Sequence, residues 1–316
     1  IRAEEERLAK LAFEGSGDGA HLAQVHQEFQ FQGYIDRPED RAITMEQLHR
    51  VVRWSRDHCH RWRDAAPVDE SRTSGMKLNL DIMNTYHLSH WLIKPATKDK
   101  NCALIEFLTN QKQQPSWCVI HWWGERIVDL VKCLECQVST RNLPGHTGFW
   151  ISAFAIRPHL MLQEDFSDPA RVRFYRALVA SQSRALLVLD SRREHTGPAT
   201  ALGRLWCLYE LALCLDQPAL TLDVATLSGS RAALVMRGFT GEEELLEGRS
   251  PGAGYRAKSD RERGLGLDLV ERGLEIRLQG ASTTEPGDRA RLLNGLAGRE
   301  ASLPPIEDHE LYRRAN

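Results

Sequence analysis

Residues 116–134, SWCVIHWWGERIVDLVKCL, change period halfway and decide the fold. The first seven, SWCVIHW, are apolar and β-rich, and they predict a strand buried on both faces. Gly124 breaks the run, and Ile127, Val128, Leu130, Val131 and Leu134 then follow helical spacing. The same alternation recurs downstream. Residues 148–156 (GFWISAFAI), 185–189 (ALLVL) and 219–225 (ALTLDVA) predict three more strands. Between them lie a helix opened by Asp168-Pro169, as N-cap and first helical residue, and the helix 203–216, GRLWCLYELALCLD. Strands alternating with helices predict βαβ units, and so an α/β fold with a parallel sheet flanked by helices. Such crossovers are right-handed, which puts helices on both faces. Ligands of such sheets bind beyond the carboxyl ends of the strands. Gly124 and the loops after 156 and 190 fall at those ends.

Outward from this centre the chain reads as helix. Residues 1–111 form a helical N-terminal region, 112–228 the α/β domain, and 229–316 a helical C-terminal extension. Thr44-x-x-Gln47 is a capping-box pattern, followed by apolar Leu48, Val51, Val52, Cys59 and Trp62. A second helix is expected over 80–93, stopped by Pro95, and a third after Asp99. Arg50, Arg53, Arg56, His58, His60, Arg61 and Arg63 crowd one stretch, either as an anion patch or as a solvated helix face. In the C-terminal extension, residues 248–264 (GRSPGAGYRAKSDRERG) read as a loop and 267–278 as a helix. Asp288 is expected to cap another helix that Gly298 ends.

Composition sets outer bounds. With 42% hydrophobic and 27% charged residues the chain has the makeup of a globular protein rather than a disordered one. A net charge of −2 gives no reason to expect nucleic acid or an anionic membrane as partner. No apolar run approaches the roughly 20 residues that cross a bilayer. The opening IRAEEERLAK has no secretory core and no initiator Met, so the chain reads as a fragment or processed form. Seven cysteines, an odd count at irregular spacing, fit reduced thiols in a cytoplasmic setting. Cys133-Leu-Glu-Cys136 has no second pair at ligand spacing and is read as core packing, so no metal site is expected. The chain has no GxGxxG, GxxxxGK[ST] or GxSxG motif, which leaves dehydrogenase, P-loop ATPase and α/β-hydrolase without support and implies no resident cofactor.

Three segments carry a resemblance. Residues 116–125 (SWCVIHWWGE) resemble the first strand and turn of a Toll/interleukin-1 receptor (TIR) domain, which has a hydrophobic run, an aromatic, a variable residue and Gly-Glu. Residues 185–190 resemble the strand before the functional helix, and 204–211 (RLWCLYEL) resemble the TIR motif Trp-Cys-Leu-x-Glu-Leu. The wider set IHWWGE, FWISAFAIRPH and RLWCLYE is similar to a group of TIR-like proteins from unicellular eukaryotes. The resemblance covers about a third of the chain. Departures are Trp123, where many plant-type domains have Arg, and Arg126, where they have Asp.

The resemblance implies a TIR/flavodoxin-like fold and a signalling role. In NAD-cleaving TIR domains the Glu of the helix motif is catalytic, and by position it maps to Glu210. A carboxylate there would stabilise the oxocarbenium-like centre that forms when the nicotinamide–ribose bond breaks. Trp206 lies four residues earlier on the same helix face. Trp123, Gly124 and Glu125 are expected to line the mouth of the nucleotide site, with Gly124 permitting close backbone approach. His159, in the loop after the second strand, is a candidate base. NAD is then a substrate rather than a cofactor. The alternative is a non-catalytic module that associates with itself or with other TIR-like domains. In that reading Glu210 is an ordinary helix residue, and Trp206 and Cys207 are core. Trp122 and Trp123 are consecutive, so one is expected to face in and the other out.

Overall fold

The computed structural model describes residues 18–65, 73–163, 166, 168–191, 197–283 and 286–316. The predicted loops 65–75, 157–168 and 190–202 fall partly outside the described residues, and the opening IRAEEERLAK falls wholly outside them.

Among the described residues, one α/β sheet has six strands: β1 (Ile43–Thr44), β2 (Trp117–Ile120), β3 (Gly148–Ile151), β4 (Arg184–Leu189), β5 (Thr221–Ser228) and β6 (Arg231–Val235). Their order is β1-β3-β2-β4-β5-β6. The inner strands β3-β2-β4-β5 are parallel, as the sequence predicts. Both edges are antiparallel, so the sheet is mixed rather than purely parallel. The reason at one edge is connection length. Only Gly229 and Ser230 join β5 to β6, and Gly229 has φ +63°. Two residues allow a hairpin, whereas a parallel crossover needs a dozen or more. At the other edge, two residues of the N-terminal region pair with β3. The predicted second strand is too long, because β3 stops at Ile151 and Ser152–Ala155 turns helical. An unbroken apolar run carries no period to mark that change.

The described longer helices are α1 (Asp18–Glu28), α2 (Met45–His58), α3 (Ile127–Thr140), α4 (Arg173–Ala180), α5 (Leu205–Leu215), α6 (Gly241–Arg249), α7 (Ala253–Glu262), α8 (Leu267–Leu274), α9 (Pro286–Leu296) and α10 (Glu310–Ala315). The capping box of α2 forms as read, with Gln47 N donating to Thr44 Oγ1 at 3.3 Å and Thr44 N to Gln47 Oε1 at 3.0 Å. Pro95 does not stop its helix. The chain runs through Thr85–Leu88, a π turn at Ser89–Ile93 and Lys94–Thr97. Proline has no N–H to give the carbonyl four residues back, that of Trp91. His21 Nε2–H from α1 donates to it instead, at 2.7 Å. The stretch after Asp99 makes only a short 3-10 turn, Leu104–Phe107. The predicted loop 248–264 contains α7, whose first turn is capped from outside: Glu247 of α6 accepts the Gly252 and Gly254 amides at 2.8 and 2.9 Å.

Alternate residues of each inner strand feed two cores, as period-2 geometry requires. Trp117, Val119, Phe149, Ile151, Leu186 and Val188 pack with α2, α3 and the N-terminal region. Cys118, Ile120, Trp150, Ala185, Leu187 and Leu189 pack with α4, α5 and Leu269, Leu278, Leu292 and Tyr312 of the C-terminal extension. Both extensions thus share a core with the sheet. Two buried carboxylates reinforce it. Glu106 accepts from Ile35 N and Ala103 N at 2.6 Å each and pairs with Arg157 at 2.8 Å. Asp223 accepts from Arg141 Nε and Nη2 at 2.6 Å each and from Gln137 at 2.8 Å. All seven cysteines are free thiols, and Cys133 of the CxxC lies in the core. No helix among the described residues is long and apolar enough to cross a membrane.

Candidate functional site

The chain leaves β2 through α3 to reach β3 on one side. It then crosses back through α4 to reach β4 on the other. The carboxyl ends of β2 and β4 therefore flank a topological switch point, where sheets of this kind hold their ligands. Candidate chemistry lies in two places near it: the turn after β2, and the space between α4 and α5.

The turn is residues 121–126. Trp122 and Trp123 part to opposite faces of the sheet, each half-buried, one against each core. Neither is fully outward. Trp123 Nε1–H donates to Ser152 Oγ at 3.2 Å, and its ring lies 5.7 Å from that of Tyr86. Gly124 has a packing reason. A Cβ there would fall 2.2 Å from Cζ2 of Trp122, so the indole occupies the space a side chain would take. The close approach expected of a ligand is made by the protein's own tryptophan. Glu125 does not line a mouth, because it is 3% exposed and neither carboxylate oxygen has a hydrogen-bond partner among the described residues. Burial, then the charges of Asp190 and Asp129, hold its carboxyl well above the usual range, against a weaker pull from Arg126.

Two residues here, one in the turn and one beside it, have no motif to announce them. His121 is 4% exposed. Its Nδ1 lies 3.2 Å from the Trp122 carbonyl. A carbonyl only accepts, so Nδ1 carries the proton and Nε2, buried without a partner among the described residues, is the bare nitrogen. Asp190, just beyond β4, accepts from Thr200 N at 2.7 Å and Thr200 Oγ1 at 2.8 Å, which pins the returning chain to the strand end. The only sequence signal for either was a polar residue directly after an apolar strand.

Glu210 and Trp206 stand one turn apart on α5, both half-buried. They line one recess of about 20 Å³ together with Trp150, Ile156, Arg173 and Tyr209. Arg173 opens α4, so the recess lies between the starts of α4 and α5, on the carboxyl side of the sheet. Trp206 Nε1–H donates to Asp288 Oδ2 at 2.9 Å. Asp288 is thus not a helix cap, as α9 already begins at Pro286. Trp123, Gly124 and Glu125 do not line this recess, so the structure divides the predicted site residues between two locations. His159 is elsewhere again, with Nε2 3.2 Å from both the Lys94 carbonyl and Thr97 Oγ1. In the basic stretch, Arg50, Arg53, Arg56, His60, Arg61 and Arg63 are exposed, Arg50 pairs with Glu28 at 2.8 Å and His58 stacks on Trp54 at 4.2 Å, which favours the solvated helix face over an anion patch. A larger hollow of about 430 Å³ is a shallow groove along α7, beside Tyr255 and Lys258, away from all these residues.

Comparison of the chain with protein families, with curated proteins and with solved structures found no match.

Proposed function

We propose that residues 112–228 act as a TIR-like signalling domain that cleaves the nicotinamide–ribose bond of NAD, with Glu210 as its catalytic carboxylate. The observation that carries this reading is the pairing of Glu210 with Trp206 in one recess at the carboxyl side of the parallel inner strands. The strand order supports it. Numbered by themselves, the four parallel strands run second-first-third-fourth, as in flavodoxin-like sheets. In the proposed reaction the C–N bond breaks with its electron pair going to the nicotinamide nitrogen. Nicotinamide leaves neutral, Glu210 stabilises the positive ribose, and water adds there and gives up a proton. Trp206, which lines the same recess, would pack beside the base or ribose.

One observation favours the alternative, a non-catalytic module acting through self-association or other TIR-like partners. A recess of about 20 Å³ holds about one water and no nucleotide. The two readings join if assembly opens the recess. Seven free thiols fit a reducing, cytoplasmic setting for either. The test follows nicotinamide release from NAD at low and high protein concentration, beside Glu210→Ala. Release that the substitution abolishes supports the hydrolase, whereas a folded protein that releases none at any concentration leaves the interaction module.

A further inference from the structure

Glu125 stands apart from the recess and has no place in that chemistry. It closes the turn after β2, where Glu125 N donates to the Trp122 carbonyl at 3.0 Å. The carboxyl is sealed from water, and among the described residues both of its oxygens lack partners. Ile120 of β2 pairs with Leu187 of β4, which sets the turn beside the end of β4. Among the described residues, the titratable and charged groups in electrostatic reach of Glu125 are Asp190 beyond β4, Arg126 and Asp129 at the start of α3, Cys133 on α3 and Cys207 on α5.

None of these neutralises it. Arg126 is the one cation, and its Nε donates to Asp129 Oδ2 at 2.7 Å. Asp190 is committed to Thr200. Cys207 Sγ–H donates to the His121 carbonyl at 3.4 Å, and burial pushes both thiols up, so they stay uncharged. His121, the nearest base in sequence, is itself neutral, because burial pushes it down to about 4. A carboxylate sealed among like charges without a donor is far costlier than the neutral acid. The side chain therefore keeps its proton while the turn is closed.

We propose that Glu125 is a proton-held latch at the switch point: protonated, it lets the 121–126 turn close against the end of β4, and on losing its proton to water it repels Asp190 and drives the two ends apart. The latch does not depend on Glu210 or on NAD. It sits where Ile120 of β2 pairs with Leu187 of β4, at the carboxyl ends that such sheets use for ligands. The sign follows from the raised acid. The closed turn is most stable with the proton on, and it loses stability as pH rises towards the folded-state value.

The experiment is amide hydrogen exchange from pH 5 to 9, corrected for intrinsic rates, on the wild type and on Glu125→Gln, which mimics the neutral acid in shape. In the wild type, protection of residues 121–126 is expected to fall at least tenfold across this range while α2 keeps its protection. Glu125→Gln is expected to hold the turn closed throughout. Parallel loss in the two proteins overturns the latch. If Glu125→Gln does not fold, the wild type decides alone. Protection at 121–126 that is flat with pH, or that falls no faster than elsewhere in the chain, overturns it, and loss confined to the two strand ends upholds it.

Discussion

The indole N–H of Trp206 on α5 donates to the carboxylate of Asp288 on α9 at 2.9 Å, across 82 residues of chain. This bond builds the C-terminal extension into the wall of the candidate recess. The same corner holds Phe166, edge-on to Trp206 and Tyr209 at 5.5 and 5.6 Å, with Arg291 of α9 5.1 Å above its ring.

Asp288→Ala removes the acceptor of a half-buried indole N–H. It also removes the Oδ1 that accepts from Arg291 Nη1 at 3.3 Å, and the loss is expected to cost about 1.5–3 kcal/mol, mostly from the indole bond, read from the shift of the urea midpoint. If the closed recess is the inactive state, the same variant releases nicotinamide faster than wild type. Unchanged stability would show the bond to be incidental.

Gly124→Ala drives a methyl into the Trp122 ring. Overpacking of this kind costs about 1–3 kcal/mol. Trp122→Leu in the same chain makes room, so the double variant is expected to be more stable than the sum of the two single losses. Additive losses in thermal or urea unfolding would place the strain elsewhere.

Arg141→Met leaves Asp223, which is fully buried, without its bidentate partner. Breaking one side of a buried pair costs about 3–5 kcal/mol. Asp223→Asn in the Arg141→Met background is expected to recover part of that loss, because the remaining group no longer carries charge. A double variant no better than the single would mean that packing of Arg141 over Trp117, with its guanidinium 4.9 Å from the ring, matters more than its charge.

His121 is buried neutral, with its value pushed from 6.5 down to about 4. The unfolded chain binds this proton first as pH falls. The stability is complete above about 6.5 and drains away towards pH 4, by roughly 3 kcal/mol. His121→Gln removes the titration and is expected to flatten the stability profile in that window. A profile as steep as wild type would assign the acid sensitivity to other groups, such as His90, also pushed down to about 4.

The sequence made the parallel core legible because apolar runs bounded by Gly and polar loops announce buried strands, as at 117–120 and 184–189. Trp206 and Glu210, four apart on a helix and so on one face, do line one recess. The rest turned on partners distant in sequence. His21 satisfies the carbonyl that Pro95 abandons, so the local rule for ending a helix fails there. Glu247 supplies a cap that makes α7 out of a Gly-rich segment. Trp123, Gly124 and Glu125 are consecutive, and a turn sends consecutive residues in different directions. One packs on Tyr86, one yields space to Trp122 and one is sealed inside.

The edges of the sheet bear on how copies of this chain can meet. A rim strand normally offers a ladder of open backbone groups to any passing strand. Here β1 offers two residues, and on β6 the Leu234 carbonyl is taken by Arg261 Nη1 of α7 at 2.6 Å. Among the described residues, each rim therefore offers a passing strand a shortened or interrupted ladder, which works against extending the sheet from one molecule into the next.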